Sequence, residues 1–391
     1  MSLLRQKKMV QELRKQGDVC KFRQLLITGP NTLPHPIVLV QYYFPHSLSP
    51  ARLDRYLASG WFRSASMLYR LKLVCMEGDF HSPVNIRLKL GHYHFKKRLR
   101  KIMRRNESRF RVEIGRASIN QHKERLYQQQ KHRFRGFVFE SLLQFLQLDA
   151  YQQIFDTYEV CVYEGSRLVA LSYFDMGQHS IASLIGLFDQ APAYKKYSLG
   201  LYTMLVEIDY ALACGKRYYY PGYVLDRESE FVIKLRLGDF EFYNWKGRWR
   251  PMEKFREEPL LRHLLQDKIS ALKACLRQKG IPYKQWLYPF FSIGYLEHHA
   301  SQLVRSVVFI SCFPASKHQN IIIEYNVEEE IYQMSKVAPV PNYDELIETA
   351  ISVDFLDPEV YWPEVLGYEC SLYRHAQAEK MAESVLAMYN W

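Results

Sequence analysis

The clearest pattern of hydrophobic and polar positions lies between residues 198 and 223. One helical face there is formed by apolar residues at helical spacing, Leu201, Leu205, Ile208 and Leu212. Ser198 stands where this helix would begin, and Gly215, which suits a left-handed C-terminal cap, stands just past its end. The aromatic run Arg217–Tyr220 is typical of a short strand, and Pro221 and Gly222 break it. We therefore predict a helix followed by a short strand.

Alternating apolar and polar residues upstream of this helix predict a three-stranded antiparallel meander. Its strands would cover Tyr158–Tyr163, Leu168–Asp175 and Ser180–Phe188. Earlier elements would be a strand over Ile37–Phe44, a helix over Pro50–Ser59 capped by Ser49, a strand over Val84–Leu90 and a basic helix over Lys96–Arg105. The segments Asp226–Leu237 and Glu241–Trp245 would complete this part of the fold.

A meander, a helix and a further strand follow one another in the order of the GCN5-related acetyltransferase fold. We therefore predict an α/β (α+β) protein whose core is a mixed sheet flanked by helices. A basic N-terminal α/β region would precede the core, and an acidic, mainly helical extension would follow it, clearest at Asn342–Ile351 and Arg374–Tyr389. The expected divisions are 1–24 for a charged helix, 25–136 for the basic domain, 137–259 for the acyltransferase-like domain and 260–391 for the extension.

Charge is unevenly distributed along the 391 residues. The chain has 53 Lys and Arg against 41 Asp and Glu, a formal net charge of +12 that favours a polyanionic partner. Residues 87–135 contain seventeen cations and three acids, whereas residues 320–391 contain fourteen acids and three cations. Seven cations fall within ten residues, namely Lys96, Lys97, Arg98, Arg100, Lys101, Arg104 and Arg105. This run predicts contacts with RNA phosphates, and its alternative is a solvated helix face.

Other features restrict the class of protein. The seven cysteines are scattered and form neither a disulfide framework nor a metal-ligand set. His92 and His94 share a strand face but lack a third ligand at the usual spacing, so we predict no metal and no cofactor. The N-terminus lacks the apolar core of a signal peptide, and no apolar run is long enough to cross a membrane. We therefore expect a cytoplasmic protein without a membrane partner.

Three blocks of sequence, in order over roughly residues 40–250, resemble the arginyl-tRNA–protein transferases. The first is Gly60–Tyr69, and the second is the basic run that ends at Asn106. The third combines Asp189, the 198–200 turn, the aromatic segment 219–223 and Lys234. The chain is similar to a divergent bacterial-type member that lacks the family's N-terminal Cys-x-x-Cys. It also departs from the family at Phe62, Ala65, Pro221 and Ile233.

The resemblance implies an acetyltransferase-like core adapted to aminoacyl-tRNA, and it implies roles for individual residues. Catalysis would involve Tyr220, Tyr223, Lys234 and Asp189. The tRNA-borne donor would be held by the basic run together with Lys195, Lys196, Ser198, Leu199 and Gly200. Arg63 and Ser64 would bind the acceptor, with Arg63 suited to pairing with an acidic side chain.

Each of these residues also has a structural interpretation. Tyrosines in such clusters usually pack a core, Asp189 is equally suited to a turn or cap, and an isolated helical lysine such as Lys234 is usually only exposed. The turn at Ser198 is equally consistent with an ordinary Ser-capped helix. With Gly200 as its only glycine, that turn is a poor site for the pyrophosphate of coenzyme A.

The expected function is that of an aminoacyltransferase. It would move arginine, or a related amino acid, from tRNA to the N-terminal α-amine of a protein or peptide, by direct aminolysis of the ester. The first alternative is a catalytically silent relative that binds RNA or protein with the same fold. The second is acetyl transfer from coenzyme A, which the weak pyrophosphate turn disfavours.

Overall fold

The computed structural model describes residues 38–134, 138–147, 153–226, 230–292, 303–313, 320–340 and 357–389. The chain divides into two compact units, one of residues 40–72 and 81–260 and the other including residues 73–80 and those from 261 onward. The first unit ends at residue 260 and includes residues on both sides of the expected boundary after residue 136. Strands on both sides of that boundary belong to one sheet, which holds them in a single unit. The predicted helix over 1–24 lies outside the described residues.

The described α-helices are α1 (Pro50–Ala58), α2 (Lys97–Glu107), α3 (Gln121–Gln130), α4 (Leu142–Leu146), α5 (Leu199–Ala213), α6 (Leu261–Gln278) and α7 (Ala378–Tyr389). Short 3₁₀ helices cover Lys131–Arg133, Pro192–Tyr197, Glu230–Leu237, Met252–Glu257 and Pro289–Ser292. Among the described residues, no helix is both long and apolar enough to cross a membrane.

The first unit is built on a nine-stranded mixed sheet. Its strands are β6 (Pro83–Lys89), β7 (Arg111–Arg116), β8 (Thr157–Glu164), β9 (Arg167–Met176), β10 (Ser180–Phe188), β11 (Tyr218–Tyr220), β12 (Tyr223–Leu225), β13 (Phe240–Tyr243) and β14 (Trp249–Pro251). They lie in the order β14-β13-β6-β11-β10-β9-β8-β7, and β12 also pairs with β6. A smaller sheet of the same unit contains β1 (Val40–Tyr43), β2 (Phe62–Ser64) and β3 (Met67–Leu71). A two-stranded sheet of β4 (Val74–Met76) and β5 (Asp79–His81) lies mostly in residues 73–80, which belong to the other unit.

The meander and helix predicted from the sequence are confirmed. β8, β9 and β10 form successive antiparallel pairs, and Gly165 makes their first turn with φ +60°. α5 buries Leu201, Leu205 and Ile208 against this sheet. The chain then returns as β11, which runs parallel to β10. The mixed sheet flanked by helices therefore has the acetyltransferase-like order of elements.

Three local predictions have different outcomes. Ser49 caps α1 by accepting a hydrogen bond from the Arg52 amide, as expected. Gly215 ends α5 with φ +65°, also as expected. Ser198 precedes α5 but does not cap it with its side chain, because its own backbone is left-handed (φ 52°, ψ 50°). A side-chain cap requires an extended residue at that position.

The prediction of a mainly helical C-terminal extension is wrong. Its described residues form a five-stranded antiparallel sheet of β15 (Lys284–Leu287), β16 (Val308–Ser311), β17 (Asn320–Asn326), β18 (Ile331–Pro339) and β19 (Leu366–His375), together with α6 and α7. β17 is buried along six of its seven residues, so its sequence reads as an apolar run rather than an alternation. Of the predicted helix at Arg374–Tyr389, the part from Ala378 is present as α7, whereas Arg374 and His375 belong to β19. The predicted helix at Asn342–Ile351 lies outside the described residues.

A buried carboxyl in this second sheet gives a prediction about stability. Glu324 is fully buried, and burial raises its pKa to about 7. Its Oε1 atom accepts hydrogen bonds from the Tyr368 hydroxyl (2.6 Å) and the Gln333 amide (2.9 Å), whereas Oε2 has no hydrogen-bond partner among the described residues. The folded state keeps this proton up to about pH 7, but the unfolded chain releases it near pH 4.3. Stability is therefore lost as the pH rises between these two values.

We expect Glu324→Gln to stabilise the second unit at pH 8 by up to about 3 kcal/mol, which is the free energy that corresponds to raising the pKa of this carboxyl from its ordinary value to about 7. The amide oxygen can keep both hydrogen bonds. At pH 4.5 the variant and the parent should differ little. Thermal unfolding of both proteins at the two pH values measures the difference in stability. Equal destabilisation of the variant at both pH values would contradict a raised pKa of Glu324 in the folded state.

Candidate active site

The two parallel strands in the sheet pair over only three residues. Ser180–Ala182 of β10 lie opposite Tyr218–Tyr220 of β11, and the ladder between them stops there. The next residues of the chain stay on β6, which already pairs with β11, and β12 pairs there with residues 83–85. Gly222 makes this transition with φ +90°, a conformation that favours glycine. The ladder between β10 and the following segment therefore ends at these residues, and we call the region between the rest of β10 and β12 the gap.

Tyr223 and Lys234 come together on the β12 side of this gap. The Lys234 ammonium donates to the Tyr223 carbonyl at 3.2 Å and lies 5.9 Å from the centre of the Tyr223 ring. Phe62 packs edge-on against the same ring, with centroids 5.3 Å apart. Lys234 is half-buried, and burial lowers its pKa to about 8. A cation with this pKa beside an aromatic wall can stabilise a developing negative charge.

Tyr220 has a different environment. Its side chain is buried in a core with Leu53 and Leu57 of α1, and only 6% of the residue is exposed. Its ring packs edge-on against Trp249 at 5.9 Å, and burial raises the pKa of its hydroxyl to about 12. The structure thus brings Tyr223 and Lys234 together but places the Tyr220 ring in the interior.

Asp189 lies at the other end of β10. Ala182, which is level with Tyr220, precedes it by seven residues, and a strand rises about 3.3 Å per residue, so about 20 Å separates the two positions. Its carboxylate accepts from the Ala191 amide at 2.8 Å and pairs with Arg167. These contacts are those of a turn residue, and they do not bring Asp189 to Tyr223.

The turn before α5 presents cations to solvent. Lys195, Lys196 and Ser198 are exposed, whereas Leu199 is buried beneath them. Gly200 is needed for packing, because a Cβ atom there would lie 2.7 Å from the Phe188 ring. Lys195 and Lys196 are therefore the members of this segment that can reach a bound polyanion, and Gly200 allows the helix to approach β10.

The basic helix α2 lies beside that turn. Its inner face is formed by Leu99, Ile102, Met103 and Asn106. The predicted cations are all exposed, namely Lys96, Lys97, Arg98, Arg100, Lys101, Arg104 and Arg105. Lys96 pairs with Asp239 at 2.9 Å. The side chains of Arg105 and Asn106, in the last turn of α2, donate hydrogen bonds to the carbonyls of Lys196 and Tyr197. The two predicted basic segments therefore form one surface, hereafter the basic surface.

Arg63, expected to contact an acceptor, is instead directed inward. Its guanidinium donates to Asp175 (2.7 Å), Thr157 (2.8 Å) and the carbonyls of Ala65 (2.8 Å) and Leu146 (2.7 Å). The side chains of Arg63 and Asp175 are only 5% and 1% exposed. The geometry therefore supports a structural ion pair. Ser64 is half-buried in β2, opposite Met67.

Sequence reasoning missed the buried pair beneath this region. Glu207 of α5 is fully buried and accepts a hydrogen bond from the Tyr219 hydroxyl at 2.6 Å. Burial raises the pKa of Glu207 to about 7, although hydrogen bonds from Ser172, Tyr219 and Ser183 oppose the shift. A signal was available, since α5 contains two acids and no basic residue that could pair with them. Periodicity alone does not show which of the two is buried.

Two further features lie apart from these residues. A cavity of about 390 Å³ is lined by Ser49 and Pro50 at the start of α1, by Gly177 and by Lys216, and by none of the predicted site residues. His92 and His94 are exposed between β6 and α2. Within the described ranges, no group of three His, Cys, Asp or Glu side chains is placed to hold a metal ion.

Residues 116–244, which include the gap and Lys234, match the family model described as the arginine-tRNA-protein transferase C terminus. An aspartate/glutamate leucyltransferase of Shewanella sp. (strain MR-7) is 27% identical over 203 residues, 51% of this chain and 82% of that protein. One of Chromohalobacter salexigens is 26% identical over 84 residues, 22% of this chain and 34% of that protein. The matched part of the chain is similar to the aminoacyl-tRNA–protein transferases.

Solved structures give weaker matches. The structure of L-PGS from Bacillus licheniformis is 14% identical with a TM-score of 0.28, over 46% of this chain and 52% of that one. The crystal structure of FemX is 10% identical with a TM-score of 0.31, over 47% of this chain and 64% of that one. This chain spans less than two thirds of either structure, and matches with such low sequence identity and TM-score say nothing about activity.

The burial of Arg63 gives a prediction about the free energy of unfolding. We expect Arg63→Ala to lower the free energy of unfolding by about 3–5 kcal/mol, because removing one partner of a buried ion pair leaves the other charge uncompensated. Denaturant unfolding measures this. Adding Asp175→Asn should restore part of the loss, and Ser64→Ala serves as a neighbouring control. An Arg63→Ala protein as stable as the parent would show that the pair has no structural role.

Proposed function

We propose that this chain is an aminoacyl-tRNA–protein transferase that moves an amino acid from tRNA to the N-terminal α-amine of a protein. The observation that carries the proposal is the position of the family match. It covers the separated strands, Tyr223, Lys234 and the turn at 195–200. The basic surface adjoins that turn, so a donor bound there by its phosphates could extend its 3′ end towards the gap.

The reaction would need no covalent enzyme intermediate. The acceptor amine attacks the carbonyl carbon of the aminoacyl ester, the C–N bond forms, and the C–O bond to the terminal ribose breaks. The amine loses a proton, and the ribose oxygen leaves as a hydroxyl. An α-amine has a reference pKa of about 7.7–8.0, so a substantial fraction is neutral near pH 7.5. Holding the two reactants together can supply about 7–11 kcal/mol, which is why no nucleophile or carboxylate dyad is required.

Lys234 and Tyr223 are the catalytic candidates that fit this reaction best. The ammonium of Lys234 would stabilise the oxyanion of the tetrahedral intermediate, while Tyr223 would line the gap beside it. Tyr220 would act from the interior by supporting the strand. Asp189 would hold the turn that leads to Lys195 and Lys196, since its carboxylate binds the Ala191 amide.

The sequence resemblance and the names of the relatives indicate different donor amino acids. The sequence blocks resemble arginyltransferases, whereas the curated relatives carry the name aspartate/glutamate leucyltransferase. The wall beside the gap consists of Phe62, Tyr69 and Tyr223 with the Lys234 ammonium. An apolar side chain packs well on such a wall, while a guanidinium would face a like charge. We therefore propose a leucyl donor in preference to arginine, with an acidic residue at the acceptor N-terminus.

The test is an incubation of the purified chain with labelled leucyl-tRNA or arginyl-tRNA and peptides that begin with Asp, Glu, Lys or Ala. Label should enter the Asp and Glu peptides from leucyl-tRNA. Transfer from arginyl-tRNA alone would replace the proposed donor and keep the reaction. Binding of both tRNAs without transfer to any peptide would favour the silent RNA-binding alternative over an enzyme.

The basic surface leads to a prediction about salt dependence. We expect the triple variant Lys97→Ala, Arg98→Ala and Lys101→Ala to flatten the plot of log Kd against log salt by about 2–3, because each phosphate contact releases about 0.7–0.9 counterions. Filter binding of tRNA from 50 to 300 mM salt measures the slope. The control removes three exposed cations elsewhere in the same unit, Lys246, Lys254 and Arg256. Equal slopes for the two triple variants would contradict a contact between the cations of α2 and tRNA phosphates.

The pKa of Lys234 gives a second prediction. Transfer should rise as the acceptor amine loses its proton and fall again as Lys234 is deprotonated above about pH 8. Lys234→Arg keeps the charge at all these pH values, so the alkaline fall should disappear. Lys234→Met should reduce kcat at least tenfold at pH 7.5. A pH–rate profile of the three proteins measures both effects, and an unchanged alkaline limb in Lys234→Arg would exclude Lys234 as its source.

A further inference from the structure

The last turn of α2 holds the backbone of the turn that leads into α5. The Arg105 guanidinium donates to the Lys196 carbonyl at 2.7 Å, and the Asn106 amide donates to the Tyr197 carbonyl at 3.0 Å. Asn106 is fully buried and also donates to the Ile102 carbonyl of its own helix at 2.9 Å. Two consecutive carbonyls of the turn are therefore held by two consecutive side chains of the helix.

The side chain of Tyr197 is held as well. Its hydroxyl accepts from Arg109 at 2.9 Å, and Phe110 packs edge-on against its ring at 5.0 Å. Tyr194, in the same 3₁₀ helix, donates to Glu164 at 2.5 Å. Hydrogen bonds from Tyr194 and Arg109 lower the pKa of Glu164, so this carboxylate stays charged and keeps its partners. The 192–197 helix is thus attached to its surroundings through backbone and side chains.

This attachment accounts for the unusual conformation of the next residue. Ser198 is left-handed, which a residue other than glycine adopts only where the surrounding structure fixes it. The left-handed turn sets the direction in which the chain enters α5, and with it the position of Lys195 and Lys196 relative to the cations of α2. A change in the hold on residues 196 and 197 would therefore alter the geometry of the basic surface without removing its charge.

We propose that Arg105 and Asn106 are positioning residues, which fix the turn that delivers the tRNA-borne acyl group to the gap. The inference rests on the proposed function. It divides the exposed cations of α2 into two kinds. Arg104 is exposed and makes no hydrogen bond to the turn within the described residues, so it would serve only as a phosphate contact. Arg105 would both attract phosphate and hold the Lys196 carbonyl.

Arg104 and Arg105 form a matched pair for the experiment. Arg104→Ala and Arg105→Ala each remove one cation from adjacent positions of the same helix, so we expect similar two- to fivefold losses of tRNA affinity. Only Arg105→Ala should also lower kcat at saturating aminoacyl-tRNA, by about tenfold. Arg105→Lys, which restores charge and a donor, should recover part of kcat. Asn106→Ala should lower kcat with a smaller effect on affinity, since it removes no charge.

Hydrogen exchange gives a readout that does not depend on transfer. The amides of residues 198–203 should exchange several times faster in Arg105→Ala and Asn106→Ala than in the parent, but not in Arg104→Ala. Equal exchange in all four proteins, or equal kcat for Arg104→Ala and Arg105→Ala, would overturn the positioning role. If the parent protein transferred no amino acid but hydrogen exchange still responded as expected, the proposed reaction would be wrong. The conclusion that Arg105 and Asn106 fix the turn would remain valid.

Discussion

The separation of β10 from β12, which follows the short pairing of β10 with β11, is the constraint on which the rest of the first unit depends. Opening a sheet in its middle leaves the backbone groups on the inner edges of both strands without ladder partners from each other. Here each strand keeps a partner on its outer side, since β10 remains paired with β9 and β12 with β6. The positive φ of Gly222 lets the chain stay on β6 while it leaves β10. The gap is therefore supported by regular sheet on both sides, and a polar reaction could occur in it without disturbing either ladder.

Burial decides which of the many cations could meet an anion. Residues 87–135 contain seventeen Lys and Arg residues, but some of them are held in contacts within the fold. Lys123 is 3% exposed and bound to Glu159 at 2.6 Å, and Arg87 lies between the rings of Tyr218 and Trp249. Arg63 belongs to the same class through Asp175. Seven of the cations that remain exposed lie at residues 96–105, and Lys195 and Lys196 lie on the 192–197 helix, whereas others such as Arg111, Arg116 and Arg125 are exposed elsewhere in the first unit.

The sequence predicted those features of the fold that depend on local spacing. The meander, α5 and the basic helix follow from periodicities of two and 3.6 residues, and Gly215 from the needs of a helix end. Contacts between distant residues have no such signal. Arg63 is 112 residues from Asp175, and Asn106 is 91 residues from Tyr197, so neither partner could be read from spacing. The second sheet was missed because β17 is covered on both faces, and its apolar run therefore resembles a buried helix as much as a strand.

A reaction that proceeds by positioning alone also changes where its determinants lie. When the ester is already activated and the amine is partly neutral, the barrier depends mainly on holding the two reactants together. In the proposed reaction the residues of consequence would then include those that fix the backbone, such as Gly222, Arg105 and Asn106, while Lys234 would act through its charge. Such residues leave no catalytic motif in the sequence, since glycine, asparagine and arginine are common. They become recognisable only when a structure shows which carbonyl, which turn and which strand each of them holds.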